Sequence, residues 1–239
     1  MKTCLITGAS RGLGLSLSRY FKSQGYYIIG VARSKDRLQQ LADGNVIDDF
    51  FICDLSQSES IDEFIRQFEN KYQTLNLLVH NAGIQNRYDI LNETHFYGIF
   101  SKEISVNFLA PVKITAALIP NLLKAESKIL IITSLLQLGP KVTAPGYCSS
   151  KAALANWVNN LRAQLRATNV SVTEVIPGLI KTNMTDNASK NGINPDVLAQ
   201  EIGVNLNHDL IVLKSAKLGW MVSQLAPGFV KYKLLHSES

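Results

Sequence analysis

Tyr147 and Lys151 stand four residues apart in the stretch PGYCSSK, residues 145–151. On a helix the two side chains share one face, and an ammonium one turn away favours the phenolate form of a phenol. The pair could therefore do general acid–base work on an oxygen atom. The match by itself is short enough to arise by chance, and Pro145-Gly146 could simply be the turn that opens a helix. Its surroundings have to decide.

A second chemical feature lies near the N-terminus. Gly8, Gly12 and Gly14 in TGASRGLG let a backbone turn tightly and approach a pyrophosphate, whose charge a following helix N-terminus stabilises. The spacing, Gly-x-x-x-Gly-x-Gly, differs from the usual dinucleotide fingerprint, and a ligand-free glycine-rich turn would read alike. At the end of the next apolar run the chain reads Val31-Ala32-Arg33-Ser34. A dinucleotide fold that uses NAD usually places a carboxylate there, on the ribose 2′-hydroxyl. Here a guanidinium takes that place, and Arg33 with Arg11 could pair with a 2′-phosphate through charge-assisted bonds. Two solvated surface arginines are the plainer alternative, but the positions favour NADP.

The elements that must position these residues are short apolar runs alternating with amphipathic stretches. Strands are expected at 3–7, 26–32, 49–54, 75–81, 128–134 and 170–176, with 209–213 a further candidate. Helical patterns cover 12–24, 35–42, 60–72 and the stretch after Pro145. Continuous apolar runs indicate strands covered on both faces. The alternation predicts an α/β fold: a Rossmann-like, doubly wound parallel sheet of about seven strands with helices on both faces. No linker, repeat or low-complexity segment interrupts the pattern, so residues 1–239 read as a single domain. In such sheets ligands bind beyond the C-terminal strand ends. Asp54-Leu55 follows the third strand, where the carboxylate could bond an adenine amino group or cap the helix starting near Ser58. Asn81-Ala82-Gly83 follows the fourth. Asn81 could tie neighbouring strands and Gly83 leave room for a cofactor, or the segment could be a plain turn.

Ser134 ends the fifth strand, Asn107 falls in the stretch before it, and Pro177-Gly178 followed by Thr182 comes after the sixth. In this order and spacing, with the glycine turn and Tyr147-x-x-x-Lys151, the chain resembles a short-chain dehydrogenase/reductase over nearly its whole length. Its pattern is most similar to poorly defined members such as the DltE-like oxidoreductases. The resemblance implies reversible hydride transfer between the nicotinamide of NADP and a carbonyl or alcohol carbon, with NADPH preferred over NADH. It makes Tyr147 the acid/base. Lys151 would lower the phenol's pKa and grip the nicotinamide ribose, Ser134 would orient the substrate oxygen, and Asn107 would hold a proton-relay water. Implied cofactor contacts are Gly8, Ser10, Arg11, Gly12, Leu13, Gly14, Arg33, Asp54, Leu55, Asn81, Ala82 and Gly83. Tyr147, Lys151, Pro177, Gly178, Ile180 and Thr182 would serve its nicotinamide end. Residues 183–195, rich in Asn and Gly, would form a mobile substrate lid. Leu135, Leu136, Leu179 and Met184 would give an apolar pocket, with Gln85 and Gln137 as polar contacts, for a small and largely apolar substrate.

Composition narrows the field. Hydrophobic residues make up 46% and charged residues 18%, as in ordinary globular proteins. The net charge of +5, from 24 basic and 19 acidic residues, is scattered, so nucleic acid is not an expected partner. Cys4, Cys53 and Cys148 match no metal spacing and read as reduced thiols. MKTCLITG runs straight into a strand pattern, and the uncharged stretch 218–230 is too short for a bilayer. A cytoplasmic protein without metal or integral membrane segment is expected. The tail, 214–239, lacks the segments with which many relatives form tetramers, so a dimer is the expected assembly. That tail reads as an amphipathic helix covering the pocket or a dimer face. Two competing functions are a 3-oxoacyl-thioester reductase and a non-catalytic NADP-binding scaffold or redox sensor. The intact set of Asn107, Ser134, Tyr147 and Lys151 counts against the scaffold.

Overall fold

Runs such as Leu77–His80 are buried along their whole length, which a sheet covered by helices on both faces allows. The computed structural model, which describes residues 1–181 and 192–236, joins seven strands in one sheet. They are β1 Thr3–Thr7, β2 Tyr27–Ala32, β3 Asp49–Ile52, β4 Leu77–His80, β5 Ser127–Ile132, β6 Val170–Ile176 and β7 Leu210–Val212. Their spatial order is β3-β2-β1-β4-β5-β6-β7, and every adjacent pair is parallel. The chain winds outward from β1 to β3, then returns to place β4 on the other side of β1. That reversal opens a crevice at the C-terminal ends of β1 and β4.

Helices α1 Gly12–Ser23, α2 Lys35–Asp43 and α7 Pro195–Val204 cover one face. Leu17, Leu38 and Leu198 pack there with Ile6, Ile28 and Val79 of the strands. The other face carries α3 Ser58–Lys71, α5 Ala110–Leu123 and α6 Pro145–Leu165, packed through Phe64, Ile114 and Val158. Before α5, the helix α4 Phe96–Ile104 runs into a π-helical turn, Ser105–Leu109, so that Phe96–Leu123 forms one long rod. By length and composition the rod could cross a membrane, yet half of its most apolar window is buried inside the fold.

Three expected strands end earlier than the apolar runs suggest. β3 stops at Ile52, β4 at His80 and β5 at Ile132, so Asp54, Asn81 and Ser134 have left the ladder at the crevice. The tail is two helices rather than one, α8 Lys217–Leu225 and α9 Pro227–Leu235. Pro227 has no N–H to continue α8, and Ala226 before it adopts φ −140°, ψ 67°. Gly219 of α8 packs on the short turn Leu135–Leu138, where an added Cβ would come within 2.8 Å of Leu135 Cδ2.

Candidate active site

The glycine turn takes its shape from two left-handed residues, Gly8 at φ 69° and Gly12 at φ 54°. Gly14 permits close approach, since a Cβ there would sit 2.2 Å from the Gly8 carbonyl oxygen. Thr7 Oγ1 accepts hydrogen bonds from the backbone N–H of Asn81 at 3.1 Å and of Ala82 at 3.2 Å. Asn81 Nδ2 donates to the carbonyls of Thr7 at 3.1 Å and Gly8 at 3.3 Å. Asn81 thus ties β1 to β4 across the crevice, the first of the two roles its position allowed. No acidic residue occupies the first turn of α1, so its positive end remains open to an anion.

A cavity of about 1040 Å³ extends from this turn along the strand ends. That volume suits a dinucleotide with a small molecule beside it. Its wall gathers Gly8, Ser10, Arg11, Gly12 and Leu13 after β1, Arg33 after β2, and Asp54 and Leu55 after β3. Asn81, Ala82, Gly83 and Gln85 follow β4, and Ser134, Leu135 and Leu136 follow β5. Tyr147 and Lys151 of α6 join Pro177, Gly178, Leu179 and Ile180 after β6. Gly14 and Asn107 stand behind the wall rather than in it, and Gln137 is also absent from it. Thr182, Met184 and most of 183–195 lie outside the described residues.

Four cations on the wall escaped the sequence reading: Arg37, Lys102, Lys141 and Lys181. Arg37 lies one helical turn beyond Arg33 and donates from Nε to the Ser10 carbonyl at 3.3 Å. That spacing was a usable signal; the lysines offered none. Asp54 does not cap α3. Its Oδ1 accepts from Ser56 N at 3.0 Å and Ser56 Oγ at 2.8 Å. Burial alone would raise its pKa, but those bonds and the nearby Arg33 and Lys102 hold the carboxyl below its ordinary value.

At the other end of the cavity, Ser134 and Tyr147 share one wall, where the Ser134 hydroxyl favours the Tyr147 phenolate, and Ser134 Oγ accepts from Leu136 N at 3.2 Å. Lys151 is buried and donates from Nζ to the Ile132 carbonyl at 2.8 Å. Burial pulls its pKa down to about 8. Its Nζ lies 5.8 Å from the centre of the Tyr147 ring. The expected depression of the phenol is not found. Burial pushes Tyr147 up, and the nearby Ser134 hydroxyl only partly opposes it. Lys151 cannot overcome burial from this position, because its ammonium points to the end of β5.

Asn107 sits in the π-helical turn and is fully buried, not on a solvated helix face. Its Oδ1 accepts from Ile84 N at 2.8 Å, while Nδ2 donates to Ile84 O at 2.9 Å and Ser150 Oγ at 3.0 Å. The three cysteines are all free and buried. Among the described residues no group of three or more His, Cys, Asp or Glu side chains could hold a metal.

Comparison with known proteins adds the following. A model of the short chain dehydrogenase family matches residues 2–192. The "Uncharacterized oxidoreductase DltE" of Bacillus subtilis (strain 168) is 38% identical over 187 residues, covering 76% of this chain and 73% of that protein. The "11-beta-hydroxysteroid dehydrogenase-like 2" of Arabidopsis thaliana is 32% identical over 207 residues, covering 84% of this chain and 66% of its own. Among solved structures, an alcohol dehydrogenase from the archaeon Thermococcus sibiricus, complexed with 5-hydroxy-NADP, superposes with a TM-score of 0.80 at 25% identity. The match covers 90% of this chain and 97% of that one. A short chain dehydrogenase from Burkholderia cenocepacia J2315 in complex with NADP gives 0.85 at 22% identity, covering 99% and 100%, a likeness of fold.

Proposed function

Because the chain belongs to the short-chain dehydrogenase family, we propose that it is an NADP(H)-dependent oxidoreductase interconverting a carbonyl compound and a secondary alcohol, with Tyr147 as acid/base. The observation that carries this reading is the convergence of Ser134, Tyr147 and Lys151 on one wall of the cavity that the glycine turn opens into. The residues fit the cofactor. Gly8 and Gly12, both left-handed, shape the turn that opens into the cavity, and Arg11, Arg33 and Arg37 supply cations where a 2′-phosphate would lie. With no carboxylate at Arg33, NADPH is the preferred form. Bound there, NADPH would supply the hydride.

The chain's own residues handle the oxygen. Tyr147, its pKa raised by burial, stays protonated at neutral pH and can donate to the oxyanion that forms as a carbonyl is reduced. Ser134 would orient that oxygen, and Lys151 would place a positive charge beside the phenolate left behind. Leu136 and Leu179 on the wall favour an apolar substrate body. The decisive experiment follows NADPH consumption across a panel of ketones and aldehydes. Turnover of at least one compound, abolished by Tyr147→Phe, is expected. Equal inertness of both proteins with NADPH binding intact would favour a non-catalytic scaffold.

One observation favours a second reading. Lys141 and Lys181 line the cavity and take part in none of the ion pairs found among the described residues. They would suit a substrate with an anionic portion, such as a carrier-bound 3-oxoacyl thioester. Faster turnover of 3-oxoacyl thioesters than of neutral ketones would select it.

A further inference from the structure

The first turn of α6, which carries Tyr147, is held by a buried polar chain that the sequence motifs do not reveal. Gly146 N donates to Tyr88 Oη at 3.1 Å, and Tyr88 Oη donates to Glu103 Oε2 at 3.0 Å. The other carboxylate oxygen, Oε1, accepts from Asn86 N at 2.6 Å and Asn86 Nδ2 at 3.3 Å. Glu103 is completely buried and Tyr88 nearly so. A helix leaves its first N–H groups without internal partners, and here one of them is satisfied by a phenol that a carboxylate fixes in turn. The contact is tight enough to demand glycine: a Cβ on Gly146 would lie 2.2 Å from Glu103 Oε2 and 2.6 Å from Tyr88 Oη. Burying a carboxylate is costly unless donors surround it, and three donors do so.

This chain ends one residue before Tyr147. From α4, Glu103 reaches the Gly146 backbone through Tyr88; four residues on, Asn107 reaches Ser150, whose hydroxyl donates to the Tyr147 carbonyl at 2.7 Å. Both sides of the α4–α6 contact thus repeat at four residues, and Tyr147 lies between the two ties. We propose that Glu103 is a positioning residue for Tyr147, acting through Tyr88 to lock the first turn of α6 so that the phenol reaches Ser134. The inference rests on the assignment of Tyr147 as acid/base, and names what holds it.

Several groups surround the phenol. Lys151 and Cys148 lie on α6, Glu103 on α4 and Tyr88 in the preceding loop, while His80 at the end of β4 is coupled to Lys151 and Lys141 to Cys148. Lys102, next to Glu103 in sequence, acts on Asp54 instead. Among these, Ser134 favours the phenolate, whereas Cys148 and the Glu103 charge oppose it. Cutting the tie and removing the charge should therefore shift Tyr147 in opposite directions.

The test labels the tyrosine ring carbons of the full-length protein for NMR and identifies the Tyr147 signal by its absence in Tyr147→Phe. Tyr88→Phe should weaken the Ser134 contact and move the Tyr147 titration to higher pH. Glu103→Gln keeps the shape, drops the charge and should move it to lower pH. For any carbonyl compound that the wild type reduces, Tyr88→Phe should lower kcat about tenfold with KM for NADPH within about twofold. Unchanged titration in both variants overturns the proposal, as does a parallel loss of kcat, NADPH affinity and Tm, which marks a merely structural role. If Glu103→Gln fails to fold, Tyr88→Phe decides alone: a wild-type titration overturns the proposal. If Tyr147→Phe retains activity, the assignment of the acid/base fails instead, and the titrations still report on the clamp.

Discussion

Asn107 Nδ2 donates to Ser150 Oγ across 3.0 Å, linking the π-helical turn to the helix that bears Tyr147 and Lys151. The same amide closes two bonds with the Ile84 backbone, just beyond Gly83. One buried side chain therefore holds three walls of the site in fixed relation. Replacing it by Leu leaves the part-buried Ile84 N–H and carbonyl without these partners. A loss of about 1–3 kcal/mol per orphaned group is expected, read as a lower urea midpoint, together with lower turnover.

Arg33 stands where a dinucleotide fold that uses NAD usually places an acidic residue. Arg33→Ala should weaken NADPH binding about tenfold, the loss of one charge-assisted contact. NADH affinity should hardly change. Equal losses for both, measured by calorimetric titration, would remove the 2′-phosphate assignment.

Lys151 has its pKa pulled down to about 8 by burial. Below that pH its ammonium is present, and above it the charge is lost. Carbonyl reduction should therefore decline as pH rises through about 8. Lys151→Arg, with a guanidinium that stays charged, should remove that limb at whatever activity it retains. A limb that persists in the arginine variant belongs to another group.

His80 is buried, with Nε2 against Thr115 Oγ1 at 2.8 Å and no partner for Nδ1 among the described residues. Burial, aided by repulsion from Lys151, pulls its pKa from 6.5 to about 3. The unfolded chain takes up a proton as pH falls through 6.5, and the folded one does not until about 3. Stability should drop across that window by up to about 1.4 kcal/mol per pH unit. His80→Asn should flatten this acid dependence in urea unfolding followed from neutral to mildly acidic pH. An unaltered slope would assign it to carboxylates instead.

Much of this architecture is legible in local patterns. The apolar runs mark seven strands because a strand covered on both faces has no polar alternation to blur it. Glycine spacing marks the turn after β1 because glycine adopts the positive φ values found at Gly8 and Gly12 without strain. The strand termini were less legible: Ile132-Thr133-Ser134 continues an apolar-looking run, yet the ladder ends at Ile132. A break in hydrogen-bond pairing depends on the neighbouring strand rather than on the residues themselves. The tail misled for a similar reason: composition suggested one helix, and a single Pro227 made it two.

The identities of Ser134, Tyr147 and Lys151 were available from sequence because their spacing along β5 and α6 is a local property. The environment of each was not. Whether Lys151 depresses the phenol depends on where its ammonium points, and burial outweighs it here. Nothing in SKEIS singles out Glu103 or announces a partner for it. Only tertiary packing brings Tyr88, Glu103 and Gly146 together from three separate segments. The sequence by itself determined the sheet, the glycine cradle and the types of side chain at the strand ends, because these follow from periodicity and backbone freedom. Tertiary structure decided burial, charge balance and which buried donors meet which acceptors, because those depend on contacts between residues far apart along the chain.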